Sequence, residues 1–482
     1  MKRKIVANTL LSLGLILALA GVLPSKSAGD VPSAHHSQYT LIDLGTLGGP
    51  RSYQSENGPQ DQIINDAGVV AFTADTTTAD PFCFFNQDCF VSHATRWENG
   101  VLTDLGALPG YGNSSGSSGI NALGWITGES ENGEIDPASG LPEIRSVLWR
   151  NGEIIDLGTF GGNWSIPSTL NDLGVVVGFA SNTIPTIPYP SALFPFSATQ
   201  TRAYIWQNGV LTDLGTLGGP EAQAFSINQS GQIAGISFTS SIPNPPTGIP
   251  PLHAVLWDRD KMIDLGTLGG TYSGTGSCAF TAGPCIGPPW VEEGTLLVNN
   301  LGQVMGTSNL AGDQVFHPFL WQRGKMQDLG TLGGDNGTGL WLTDQGEVLG
   351  QADVPKSPAG CAGETCIHHA FLWKDGVMTD LGTVGTDNCS RALMMNSTGQ
   401  IVGISIHVCG SGNRKNPLNH AFLWENGGPM VDLNTLIPAN SGVYLFQAVK
   451  INSRGEIVAV GLPSGCSESF ACGHAYLLVP KQ

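Results

Sequence analysis

Apolar positions in this chain fall into short runs of about five residues, each closed by a turn signal. Runs of that length predict β-strands, and four kinds recur in fixed order. The first ends in an Asn-x-x-Gly turn, with Asn65, Asn121, Asn171, Asn228, Asn299, Asn396 and Asn452, and with Thr343 in the sixth copy. Asn or Thr hydrogen-bonds its own turn backbone, and Gly suits the position that closes the turn. The second run is β-branched, as in Ile401, Val402 and Ile404. The third reads His-Ala-Phe-Leu-Trp, at residues 369–373 and 420–424, and the fourth reads Val-Met-Thr-Asp-Leu-Gly, at residues 377–382. Two-residue turns join the third run to the fourth: Asn99-Gly100, Asn151-Gly152, Asn208-Gly209 and Asp375-Gly376. Asn-Gly and Asp-Gly are strong hairpin signals because both turn residues adopt positive φ. Each copy therefore predicts two tight hairpins of four strands, named a, b, c and d in chain order.

The period is set by Asp-Leu-Gly, once Asp-Leu-Asn, at Asp43, Asp104, Asp156, Asp213, Asp264, Asp328, Asp380 and Asp432. Successive copies lie 61, 52, 57, 51, 64, 52 and 52 residues apart, so insertions fall between fixed elements. Four short strands in roughly fifty residues match one blade of a β-propeller. A lone blade cannot bury both faces, so blades pack side by side. The chain ends point to a closed ring rather than an open solenoid or separate β-sandwiches. Residues 39–45 form a d strand with no a, b or c before it, and residues 474–479 form a c strand with no d after it. Pairing the two completes an eighth copy and covers two open edges. The expected fold is all-β: an eight-bladed β-propeller of four-stranded blades, its ring closed by pairing of the N- and C-terminal strands.

These strings resemble the bacterial extracellular repeat family named for its His-Ala-Phe motif, the HAF repeat. The resemblance covers the whole mature chain, because the His-Ala-Phe-Leu-Trp and Asp-Leu-Gly-Thr-Leu-Gly-Gly strings recur together in order. It implies an exported bacterial protein and implies no activity. The chain departs from the pattern where Arg145 and Arg202 replace the His, and where Asn434 replaces the Gly.

Export also follows from the N-terminus. Lys2, Arg3 and Lys4 precede an apolar run from Leu10 to Leu23, too short to span a bilayer as a mature helix. Residues 1–28 read as a signal peptide cleaved after about residues 20–28, 29–38 as a short linker and 39–480 as one propeller. No later segment is apolar enough to cross a membrane. Charged residues are only 12% of the 482-residue chain, beside 66 Gly and 30 Pro, a composition of strands and turns. The net charge of −18, without a basic cluster after the signal, argues against nucleic acid and anionic lipid as partners. A monomer that binds a glycan or protein ligand, secreted to the periplasm or medium, is the expectation.

His and Asp recur in every copy, but register makes them a structural clasp. With a two-residue turn, the c-strand His lies diagonally across from the d-strand Asp. That pairs His93 with Asp104, His253 with Asp264, His317 with Asp328, His369 with Asp380 and, across the termini, His474 with Asp43. Arg145 and Arg202 take the same place opposite Asp156 and Asp213. The c-strand tryptophans, such as Trp97 and Trp373, read as filling between blades rather than as a quinone site. Glu129, Glu131, Glu134 and Asp136 offer alternating oxygens of the kind that hold Ca2+, but lack calcium-loop spacing, so a solvated loop is expected. No zinc spacing, G-x-S-x-G elbow or P-loop is present. No catalytic residue, cofactor or metal site is assigned.

The a–b and c–d turns are short and share one face. The b–c and d–a connections carry the insertions on the other, where binding is expected. The candidate binding patch there is Ile184, Ile187, Tyr189, Phe194 and Phe196 with Trp290. The ten Cys, behind an export signal, are expected to pair on this same face: Cys83–Cys89, Cys278–Cys285, Cys361–Cys366, Cys389–Cys409 and Cys466–Cys472. The function expected is a non-catalytic binding module; the alternative is a secreted propeller enzyme acting on a glycan.

Overall fold

The computed structural model describes residues 37–53, 62–83, 88–110, 113–137, 139–186, 198–245, 248–275, 295–355, 366–409, 419–467 and 469–481. The described chain is all-β, with one α-helical turn at Ser469–Cys472 and a 3-10 turn at Leu433–Thr435. Its strands form six four-stranded sheets and one nine-stranded sheet among the described residues. Copy two is representative. Its a, b, c and d strands are Ser115–Ile120, Ile126–Ile135, Pro142–Arg150 and Glu153–Asp156, antiparallel and neighbours in sequence order. The nine-stranded sheet holds copies four and five, linked by one parallel pairing of Leu252 with Tyr272.

The hairpin register follows from the turn. Asn99 and Gly100 have φ of 50° and 85°, so the c–d loop has positive φ at both central residues, matching strand twist. In copy six this sets Trp373 opposite Met378 and Phe371 opposite Asp380. The a–b pair is less regular. In copy seven its register shifts between Ala392 and Met394, and a Cβ on Gly403 of the b strand would collide with the Arg391 carbonyl. Glycine is required there by the close backbone approach.

Packing joins successive copies through their faces. Val69, Ala71 and Ala94 of copy one pack with Ile120, Ile126, Val147 and Trp149 of copy two. Val177 and Ala203 of copy three pack in the same way with Ala222, Ile233 and Trp257 of copy four. Six of the seven c-strand tryptophans are buried, and Trp424 is part-buried. Each fully buried large ring contributes roughly 2–3 kcal/mol of transfer free energy, so this repeated position adds to the packing between neighbouring sheets.

The chain ends share a sheet. Tyr39–Asp43 runs antiparallel to His474–Pro480, with Thr40 opposite Val479 and Asp43 opposite Tyr476. The same sheet continues through Ile457–Pro463 to Val443–Ile451.

The a–b turns are tied from copy to copy by asparagine. Each Asn uses its Oδ1 inside its own turn; Asn121 Oδ1 accepts from the Leu123 and Trp125 N–H groups, both at 3.0 Å. Its amide then reaches the next copy. Asn65 Nδ2 donates to the Asn121 carbonyl at 3.1 Å, Asn121 to Asn171 at 3.1 Å, Asn171 to Asn228 at 3.2 Å, Asn228 to Asn299 at 2.9 Å and Asn299 to Thr343 at 2.9 Å. Asn396 donates to Asn452 at 3.1 Å, and Asn452 donates back to Asn65 at 3.2 Å. Thr343 has no amide to donate.

Candidate functional site

The asparagine ladder sets the a–b turns side by side. Because strands within each copy are antiparallel, the b–c and d–a connections of all these copies share the opposite edge. On that long-loop edge lie several exposed large apolar side chains: Phe82, Ile135, Ile184, Ile242 and Val408. Ile184 closes the b strand Val176–Pro185 and is 54% exposed. The other members of the candidate patch, Ile187, Tyr189, Phe194, Phe196 and Trp290, lie outside the described residues. Thr186, which follows the strand Val176–Pro185, donates its hydroxyl to the Glu221 carboxylate.

Disulfides occupy the same edge. Cys83 is bonded to Cys89, Cys389 to Cys409 and Cys466 to Cys472. Cys366 is disulfide-bonded, while Cys361, Cys278 and Cys285 lie outside the described residues.

The repeated His–Asp pairs meet at the outer strands. His93 Nδ1 is 2.9 Å from Asp104, His253 2.9 Å from Asp264, His317 2.8 Å from Asp328 and His369 2.9 Å from Asp380. His474 Nδ1 is 2.9 Å from Asp43. Each Asp also accepts the N–H of the glycine two residues on, as Gly45 donates to Asp43 at 2.9 Å. Burial pulls the Asp43 carboxyl upward, but the bonds from His474 and Gly45 outweigh it and hold the group below its ordinary range. The reciprocal bond raises His474. Arg202 clasps Asp213 with two nitrogens, at 2.9 and 3.3 Å. Arg145 turns instead to Glu143 at 2.8 Å and stays 4.0 Å from Asp156.

Copy seven breaks the pattern. His420 leaves the d-strand carboxylate of Asp432 and bonds Asp387 at 2.8 Å. His407, just past the b strand Ile401–Ile406, bonds the other oxygen of Asp387 at 3.3 Å. The Asp387 side chain is 1% exposed, whereas His407 is 42% and His420 26% exposed. Asp432 is occupied elsewhere, accepting from the Asn434 backbone N–H at 2.9 Å and from its amide at 2.8 Å. Tyr444 stands edge-on to His420, with ring centroids 6.2 Å apart, and donates to the Asn419 carbonyl at 3.0 Å. Burial, with Asp432 and Asp387 adding to it, pushes the Tyr444 hydroxyl up to about 12. Cys409, two residues past His407, ties this loop to the a strand. With each Nδ1 engaged by the carboxylate, each Nε2 is the ring nitrogen left for a ligand or a proton.

Sequence reasoning treated all His–Asp pairs as equivalent and missed this exception. The signal was available. Four copies read Thr-Leu-Gly-Gly after the Asp-Leu-Gly, whereas here Thr383-Val384 is followed by Gly385-Thr386, with Asp387 next.

The acidic stretch of copy two does not form a solvated loop. Glu129 and Glu131 lie in the strand Ile126–Ile135, and Glu131 and Asp136 are buried. Asp136 accepts from Asn163 at 2.9 Å and from the Trp164 indole at 3.3 Å. Among the described residues, no group of three or more His, Cys, Asp or Glu is arranged to hold a metal ion.

No family model and no curated protein matches this chain. Among solved structures, it is similar to dipeptidyl peptidase 4 from Porphyromonas gingivalis, with a TM-score of 0.47 at 11% identity, covering 89% of this chain and 59% of that one. It is also similar to the β-propeller domain of the Trilobed protease from Pyrococcus furiosus, with a TM-score of 0.32 at 10% identity, covering 72% of this chain and 97% of that one. A third is an ulvan lyase of a polysaccharide lyase family, with a TM-score of 0.36 at 8% identity, covering 93% and 96% of the two chains. At these values the likenesses carry no activity over to this chain.

Proposed function

We propose that this protein is an exported, non-catalytic binding module of HAF-type repeats, built as a closed eight-bladed propeller that takes a glycan, peptide or cell-wall component on its long-loop edge. The observation that carries the functional reading is the asymmetry of the two edges. One holds tight, hydrogen-bonded turns. The other gathers the insertions and three described disulfides, while exposed large apolar side chains occur on both edges, Ile184 and Ile242 on the long-loop edge and Leu173 and Leu301 on the short-turn edge. A rigid scaffold with stapled, variable loops on one edge is suited to recognition.

The ring reading is supported by the pairing of Tyr39–Asp43 with His474–Pro480 and by the amide of Asn452 on the Asn65 carbonyl. Export is supported by the disulfides. Among the described residues, no helix is long and apolar enough to cross a membrane.

Copy seven favours a second reading, a secreted enzyme acting on a glycan. His407 and His420 on one buried carboxylate form the kind of carboxylate-oriented imidazole pair used in proton transfer. A glycan array, with release of reducing sugar assayed in parallel, separates the two. Retention without product supports the binding module. Product that disappears in His407→Ala and His420→Ala supports the enzyme, and an array without retained glycan removes glycan from the proposed ligands.

A further inference from the structure

Copies one and two meet through a group of buried carboxyls. Asp75 ends the inner part of a b strand and is fully buried. Its Oδ1 accepts from the Ser92 hydroxyl at 2.7 Å, and the Asp88 carboxyl lies within hydrogen-bonding reach of it. From the neighbouring copy, Glu131 Oε2 accepts the Ser114 N–H at 2.9 Å, with Asp80 close enough to act on its charge. Asp80 Oδ1 accepts the Phe82 N–H at 2.8 Å.

The second oxygens are the anomaly. Asp75 Oδ2, Asp80 Oδ2 and Glu131 Oε1 are buried without a hydrogen-bond donor, and Asp88 Oδ2 has a distant ion-pair partner in Arg51 Nη1 at 3.7 Å. Charge from the surrounding elements is mixed. The first a strand brings Arg51, whose Nη1 is 3.7 Å from Asp88, and the b strand of copy two brings Glu129, directed toward Gly116. His93, on the adjacent c strand, is engaged by Asp104. A buried carboxylate oxygen without a donor is costly, and a carboxyl that keeps its proton beside another acid avoids that cost.

We propose that the buried carboxyls of Asp75 in copy one and Glu131 in copy two, with Asp88 and Asp80 beside them, hold protons at the junction of these two copies, so that the junction is tight in mildly acidic medium and loosens as pH rises through neutral. The junction has further bonds that report its state. Ser92 N–H donates to Ser114 Oγ at 3.3 Å, Asn113 Nδ2 to the Glu131 carbonyl at 3.2 Å, and Glu131 N–H to the Ser114 carbonyl at 2.9 Å. The direction of titration agrees. Burial foremost, with Asp88 adding and Ser92 and Arg51 opposing, pushes Asp75 up to about 7. Burial, with Asp80 adding and the Ser114 N–H opposing, pushes Glu131 up to about 7. An acid raised in the folded state binds more protons than in the unfolded chain between the two values, so local stability falls as pH rises across that interval.

Hydrogen exchange read by peptide mass spectrometry tests this on the whole protein. After correction for intrinsic exchange, protection over residues 88–95 and 113–131 is expected to fall about tenfold between roughly pH 5.5 and pH 8.5, with residues 222–238 unchanged. The double variant Asp75→Asn, Glu131→Gln supplies a permanent donor in place of each proton and is expected to keep its protection at the upper pH. Wild-type protection that is flat with pH overturns the proposal, whether or not the variant folds. So does a folded variant that loses protection as the wild type does.

Discussion

The side-chain amide of Asn452 donates to the backbone carbonyl of Asn65 at 3.2 Å, across 387 positions of chain. The same bond links copies that are adjacent in sequence, so the last a–b turn treats the first as its successor. The Ser453 N–H repeats the relationship one residue on, donating to Asp66 Oδ1 at 3.0 Å.

Asn452→Ala removes that donor and the acceptor of two turn N–H groups. It is expected to lower unfolding stability by about 1–3 kcal/mol in urea denaturation, since the Arg454 and Glu456 N–H groups lose their acceptor while the Asn65 carbonyl keeps only the Gly68 N–H. Thr343→Asn supplies the amide missing from the ladder and is expected to raise stability by about 0.5–1.5 kcal/mol. The Asn396 carbonyl already accepts the Gly399 N–H at 3.1 Å, so a neutral or destabilising result would mean that its second lone pair gains nothing from the added donor.

The terminal clasp has a pH window. Asp43 is held below its ordinary range, so its contribution is present above about pH 4 and is lost as pH falls through the lowered value. His474 is raised, so its contribution is full below about pH 6.5 and is lost as pH rises through the raised value. Protection of the N-terminal strand amides should therefore be greatest between about pH 4 and 6.5, and His474→Gln should flatten the upper limb.

Peptide mapping without reduction should recover Cys83–Cys89, Cys389–Cys409 and Cys466–Cys472. The same map tests Cys278–Cys285 and Cys361–Cys366, and a bridge joining distant copies would refute the shared edge. Replacing Cys389 and Cys409 together by Ser is expected to cost about 3 kcal/mol, close to the chain-entropy value for a loop of this length.

Shortening the chain by residues 189–196 is expected to change stability by less than about 0.5 kcal/mol while weakening retention of any ligand. A large drop in the melting temperature would make the segment core and remove the apolar patch from the binding edge.

The two histidines of copy seven should separate by role. His407 is more exposed than His420, so His407→Ala is expected to alter ligand retention with little loss of stability, within about 0.5 kcal/mol. Asp387→Ala strips both rings of their shared acceptor and should reduce retention at least as much.

Local chemistry made most of the framework legible. An Asn-Gly or Asp-Gly turn fixes hairpin register, and register alone sets His369 diagonally across from Asp380 without any knowledge of the fold. Alternation and the Asn-x-x-Gly signal likewise determined the strands, their order and the edge that carries insertions. Tertiary structure decided the rest. The direction of each Asn amide depends on which carbonyl the next sheet presents. His420 chooses Asp387 over Asp432 because a loop departing from the repeat brings a buried carboxylate within reach while Asn434 occupies the alternative. Asp75, Asp88, Asp80 and Glu131 become a cluster only when two copies pack and exclude water. A sequence specifies contacts a few residues apart through backbone geometry. Contacts between copies depend on how the sheets are placed, and there a copy that departs from the repeat, as copy seven does at Asp387, acquires its own chemistry.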